Sequence, residues 1–160
     1  MKAALIGLGM VADTHLAALQ HSLKVDLCGV LARRPSSTAA FAKKATAQLG
    51  KNVTAYDSID AMTSDRSVDF AIVATPPDQR LELVQSLVAH KIPILMEKPV
   101  ERNLPAARQI VALCADAQVP LGVVLQHRAR ALSQTLKEAI EAGKLGTIIA
   151  AELRVPWWRD

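Results

Sequence analysis

Residues 3–12 read Ala3-Ala4-Leu5-Ile6-Gly7-Leu8-Gly9-Met10-Val11-Ala12, and their reading decides the fold. Four apolar residues form a short strand, two glycines interrupt it, and residues from Val11 to Ser22 carry helical spacing with Val11, His15, Ala18 and Leu19 near one face. The pattern is G-x-G-x-x-A at a strand–turn–helix junction. Gly7 permits the tight turn, Gly9 has no Cβ to hold a pyrophosphate away from the backbone, and Ala12 lets helix and strand pack closely. The helix N-terminus adds unpaired N–H groups and a partial positive charge. The stretch therefore predicts a dinucleotide cradle with Gly7, Gly9, Met10 and Val11 as contacts.

The rest of the chain repeats the alternation. Strands are expected at Val25–Leu31, Asn52–Ala55, Val68–Ala74, Pro93–Met96 and Pro120–Leu125. Helices are expected from Pro35 to Leu49 with Gly50 as the stop, and at Ser58–Met62, Asp78–His90, Pro105–Ala117 and Ala131–Ala142. Thr147–Val155 reads as a closing strand. Such βαβ units specify an α/β fold, a Rossmann-type doubly wound parallel sheet. The expected division is a dinucleotide-binding domain over 1–125, then a connecting helix and strand over 126–160 leading into a second domain. The adjacent tryptophans Trp157 and Trp158 near the last residue suggest a truncated chain.

Composition agrees. Apolar residues make up 51% of the 160 and aromatics only 3%, so the core must be aliphatic, as in a sheet buried on both faces. The net charge of +4 comes from scattered basic residues with few aromatics among them, which argues against nucleic-acid binding. No run reaches the ~20 apolar residues of a membrane span. Cys28 and Cys114 read as isolated thiols more readily than as a disulfide, so a soluble cytoplasmic protein is expected.

The end of the second strand bears on the cofactor. An NAD-specific site places Asp or Glu there for the ribose hydroxyls, whereas this chain has Leu31-Ala32-Arg33-Arg34-Pro35-Ser36. A small residue followed by arginines suits a 2′-phosphate, so Ala32, Arg33 and Arg34 favour NADP(H), with NAD(H) the alternative.

Thr75-Pro76-Pro77 after the fourth strand and Glu97-Lys98-Pro99 after the fifth, together with the N-terminal glycine turn, resemble the signature of the glucose–fructose oxidoreductase, inositol dehydrogenase and rhizopine catabolism (Gfo/Idh/MocA) family. Gln126-His127-Arg128 and the run through Gly143-Lys144-Leu145-Gly146 extend the likeness along the whole chain. The resemblance implies an N-terminal Rossmann domain and a C-terminal α/β domain, missing from this chain, that carries much of the substrate site and often mediates dimers or tetramers. It implies hydride transfer between a nicotinamide cofactor and a secondary alcohol or ketone of a sugar, cyclitol or related small molecule. It also implies a cis peptide before Pro99, and inactivity of the fragment by itself.

Ligands of doubly wound sheets sit beyond the carboxyl ends of the strands. Lys98 there is the expected catalytic residue, able to lower an alcohol's pKa or steady a developing alkoxide. Glu97 pairs with Lys98 or holds a ribose hydroxyl, and Pro99 fixes the turn. Thr75 and Pro76 wall the nicotinamide-ribose side. Gln126 is expected at the cofactor, and His127, Arg128 and Trp157 at the substrate. His15 reads as a packing or phosphate-edge residue. The chain departs from the family pattern at Arg80, where His is common, and at His90, where Gly is common; both are expected to lie away from the chemistry. Two other readings stay open: a non-catalytic NADP(H)-binding sensor or scaffold, and another Rossmann dehydrogenase such as an amino-acid biosynthetic reductase.

Overall fold

Strand β1 (Lys2–Ile6) is buried along Ala3–Ile6, and its neighbours explain why. It pairs in parallel with β2 (Asp26–Leu31) on one side and β4 (Phe70–Val73) on the other. Beyond them lie β3 (Thr54–Ala55), β5 (Ile94–Glu97) and β6 (Leu121–Val124). The order β3-β2-β1-β4-β5-β6 is that of a doubly wound Rossmann sheet, in agreement with the sequence. The computed structural model describes residues 1–156. Trp157 thus lies outside the described residues.

The chain forms two units, Met1–Val124 and Leu125–Asp160. In the first, period-2 alternation sends β1 side chains to both faces. Ala4 and Ile6 pack with Met62, Val84, Leu87, Ile110 and Cys114, from α3 (Ile59–Ser64), α4 (Leu81–Ala89) and α5 (Leu104–Asp116). Ala3 and Leu5 face the opposite layer with Leu16, Ala42 and Ala45, from α1 (Ala12–Gln20) and α2 (Pro35–Leu49). Both faces are covered, which is why the strands read as continuous apolar runs.

Local signals set most boundaries. Proline opens α2, and Gly50 closes it in the left-handed region at φ 65°. Ser58 caps α3 by accepting from the Ala61 amide at 3.1 Å, and Asn103 caps α5 through Ala106 at 2.9 Å. Cys28 and Cys114 stand unpaired.

Two expectations fail, the first only in part. The core-facing stripe of α1 is Ala12, His15, Leu16 and Leu19, at i, i+3, i+4 and i+7, so His15 and Leu19 keep their expected face while Ala18 is exposed and Val11 lies before the helix as its N-cap. Thr147–Val155 forms no strand among the described residues. A strand needs a neighbour for its N–H and C=O groups, and that segment finds no partner strand there. Among the described residues, the second unit consists of a 3₁₀ turn at Gln126–Ala129, helix α6 (Ala131–Glu141) and irregular chain. No described helix is long and apolar enough to cross a membrane.

Candidate functional site

The chain leaves β1 for β2 on one side and reaches β4 on the other, so a crevice opens beyond the carboxyl ends of β1 and β4. There lies a cleft of about 750 Å³ within the first unit, within the usual size range of small-molecule sites.

The glycine turn forms its floor. Gly7 has φ +94°, and a Cβ there would lie 2.6 Å from the Thr75 nitrogen and 2.7 Å from the Ala74 carbonyl carbon. Gly7 therefore serves two needs: a left-handed backbone and close approach to the turn after β4. Its amide donates to Leu31 O at 2.9 Å, and the Ala74 amide donates to Ile6 O at 2.7 Å, tying three strand ends together. At Gly9 an added Cβ meets nothing within 4 Å, so open space stands over the turn. The amides of Gly9, Met10 and Val11 have no backbone acceptor among the described residues, and Met10 is almost wholly exposed. Free amides facing open space before a nine-residue helix fit a diphosphate.

One wall is the end of β2: Ala32, Arg33, Arg34 and Ser37 line the cleft. Thr38, only 2% exposed, fixes this loop. Its hydroxyl accepts from the Ala32 amide at 3.0 Å and stands 3.3 Å from the Ala32 and Arg34 carbonyls. The same wall contains Asp57, beyond β3. Asp57 follows Arg34 by 23 residues and comes to the cleft only through β2–β3 pairing, so it lies outside the strand-end motif from which the cofactor preference is read.

The opposite wall comes from β4 and β5. Thr75 and Pro76 follow β4, while Glu97, Lys98 and Pro99 end β5, with Lys98–Pro99 a cis peptide. The Thr75 hydroxyl oxygen is buried with no hydrogen-bond partner among the described residues. Glu97 does not pair with the Lys98 ammonium. The His15 ring, through Nε2–H, donates to Glu97 Oε1 at 3.0 Å, and Glu97 Oε2 accepts from the Lys98 amide at 3.2 Å. The two side chains are 13% and 14% exposed, so His15 links α1 to the β5 turn. Lys98 is exposed and lines the cleft, in no ion pair among the described residues.

Twelve expected site residues thus converge on one cleft in the first unit. Gln126, His127 and Arg128 belong to the second, exposed on its 3₁₀ turn. Among the described residues no group of His, Cys, Asp or Glu could hold a metal ion.

Residues 1–125 match the family model for the Gfo/Idh/MocA proteins, described as an oxidoreductase family with an NAD-binding Rossmann fold. The chain belongs to the Gfo/Idh/MocA family. D-apiose dehydrogenase of Rhizobium rhizogenes is 29% identical over 146 residues, 91% of this chain and 41% of that protein. An oxidoreductase from Agrobacterium radiobacter, solved with NAD+, L-tartaric acid and magnesium, superposes with a TM-score of 0.77 at 28% identity, covering 91% of this chain and 41% of that one. The WlbA dehydrogenase of Bordetella pertussis, solved with NADH and UDP-GlcNAcA, gives 0.73 at 26% identity, with 91% and 43% covered. The chain spans about two fifths of the length of the curated relatives it matches.

One departure from the Gfo/Idh/MocA pattern was misplaced by sequence. Arg80 does not lie away from the chemistry: it lines the cleft and is 2% exposed. Its guanidinium donates to the carbonyls of Thr75, Glu97 and Pro99. Burial pulls its pKa below the usual guanidinium value, partly opposed by Glu101 and Glu97. A guanidinium still stays protonated at physiological pH. His90, by contrast, is exposed at the far end of α4, where its Nδ1–H donates to Ser86 O at 2.9 Å.

Proposed function

We propose that this chain is the cofactor-binding portion of a dehydrogenase or reductase that uses NADP(H) in preference to NAD(H). Its substrate would be a secondary alcohol or ketone on a carbohydrate-like small molecule. The observation that carries the reading is the open floor at Gly9, with the amides of Gly9, Met10 and Val11 available beside two exposed arginines. The similarity to D-apiose dehydrogenase supports the substrate class.

The floor amides bind the diphosphate, and Gly7 holds the turn that presents them. Ala32 leaves room beside the adenosine ribose, and Arg33 and Arg34 pair with a 2′-phosphate in the fork geometry a guanidinium provides. Thr75, Pro76 and Pro99 wall the nicotinamide end, and Glu97, oriented by His15, accepts from a ribose hydroxyl. A nicotinamide cofactor supplies the hydride acceptor or donor when bound. Lys98, in no ion pair among the described residues and at the same edge, steadies negative charge on the substrate oxygen as the C–H bond breaks or forms. In this reading residues 1–125 bind the cofactor and 126–160 lead toward the substrate portion. Gln126 would then reach the cofactor, and His127, Arg128 and Trp157 the substrate.

Asp57 favours the alternative cofactor, NAD(H), because a carboxylate beside the adenosine end accepts ribose hydroxyls and repels a phosphate. Replacing Arg33 and Arg34 together by Ala decides between them. NADPH affinity is expected to fall by about tenfold or more, the loss of one or two charge-assisted hydrogen bonds, with NADH affinity unchanged. Equal losses for both nucleotides refute the NADP(H) preference.

A further inference from the structure

Among the described residues, Arg80 is the one buried side chain that carries a formal charge. Burial of a cation is unfavourable unless its donors are satisfied, so the groups that face it report what the fold gains by keeping it there. They are all backbone carbonyls. Nε and Nη2 donate to Thr75 O at 3.1 and 2.6 Å. Nη1 donates to Glu97 O at 2.5 Å and to Pro99 O, with Val100 O further away at 3.4 Å. No carboxylate among the described residues forms an ion pair with it.

These carbonyls belong to two different turns. β4 and β5 pair in register only as far as Val73 and Met96. Beyond that point the chains separate into the Thr75 turn and the Glu97–Lys98–Pro99 turn, with no ladder between them. A planar guanidinium, with five N–H groups in a rigid fork, spans such a gap in a way no single-nitrogen side chain can. Arg80 is itself held at the N-terminus of α4, so the brace is anchored to the helix layer. The Thr75 hydroxyl has no partner among the described residues, and the guanidinium contacts at the Thr75 carbonyl are what join this turn to the one after β5.

We propose that Arg80 is a positioning residue for the nicotinamide end of the cleft: it sets the separation of the Thr75 turn from the Glu97–Lys98–Pro99 turn. It acts through those turns and does not itself touch the reacting atoms. The adenosine end, built on β2 and fixed by Thr38, does not depend on it. The inference rests on the cleft being a nicotinamide dinucleotide site.

The experiment compares whole and half cofactors on the full chain. Affinities for NADPH and NADH are measured beside 2′-phospho-ADP-ribose and ADP-ribose, which lack the nicotinamide. Arg80→Met is expected to weaken the better-bound dinucleotide by about tenfold, the value of one or two hydrogen bonds, and to leave the matching half-ligand within about twofold. Equal losses for whole and half ligands would mean general destabilisation and overturn the proposal; no loss for either overturns it as well. Should Arg80→Met not melt cooperatively, Arg80→Lys keeps the buried charge but bridges only one turn, and the same split is expected. A wild-type chain that binds half-ligands as tightly as dinucleotides refutes the role of Arg80 alone. One that binds none of the four refutes the cleft assignment too.

Discussion

Gly7 and Gly9 stand two residues apart in one motif, yet the structure gives them opposite sensitivities to alanine. At Gly7 the backbone is left-handed, φ +94°, and the new Cβ would meet backbone atoms at 2.6–2.9 Å. The left-handed conformation costs an L-residue roughly 1–2 kcal/mol. Forcing a methyl against neighbours that are themselves strand-end backbone adds about 1–3 kcal/mol. Gly7→Ala should therefore lose about 2–5 kcal/mol, a large part of a typical domain's 5–15 kcal/mol. For a chain of this size that is a fall of roughly 4–20 °C in Tm. At Gly9 no atom lies within 4 Å and φ is ordinary, so Gly9→Ala should keep wild-type stability or gain a few tenths of a kcal/mol. Its methyl instead fills the space over the free amides, and dinucleotide affinity should drop by about tenfold or more, since charge-assisted bonds to the backbone are lost. Urea melts and nucleotide titrations on both variants separate the two effects. A Gly9→Ala protein that binds nucleotide normally, or a Gly7→Ala protein as stable as wild type, would refute the reasoning.

Two further perturbations test supporting parts. Thr38→Val removes the hydroxyl that accepts from the Ala32 amide, and should cost about 1–3 kcal/mol in melts while narrowing any preference for NADPH over NADH. Tyr56 donates to Asp65 at 2.6 Å, and this bond, with the Ser67 amide, holds the Asp65 carboxyl below its usual value. A depressed carboxyl pKa stabilises the fold above the unfolded value of about 4 and loses that contribution as pH falls through the folded one. The stability gap between wild type and Tyr56→Phe should therefore be full at pH 7 and shrink below about pH 4, checked by urea melts at each pH. A gap constant down to pH 2 would contradict the assignment.

Where local chemistry decides, the sequence was informative. Helix α2 runs between its proline and its left-handed glycine as expected, and the strand-end motifs at Gly7, Thr75 and Lys98 meet because parallel strands present all their carboxyl ends to one edge. What escaped depends on distance in the chain. Asp57 comes to the same cleft as Arg33 only through the pairing of β2 with β3, and the role of Thr38 lies in the contact of its hydroxyl with Ala32, which nothing in the spacing near the start of α2 marks. Arg80 departs from expectation because an arginine near a helix start is normally solvated, whereas this one is buried. Only the convergence of two turns on one point gives it a reason to be buried. Thr147–Val155 carries strand-like alternation, but alternation specifies a face and not a partner, and none is present among the described residues.

The central claim is that the amides between Gly7 and Ala12 hold a nucleotide diphosphate. Calorimetric titration of the wild-type chain with NADPH and with NADH tests it directly. Saturable binding of one molecule per chain, abolished or sharply weakened in Gly9→Ala, is the predicted result. Absence of binding for both nucleotides at millimolar concentration would contradict it.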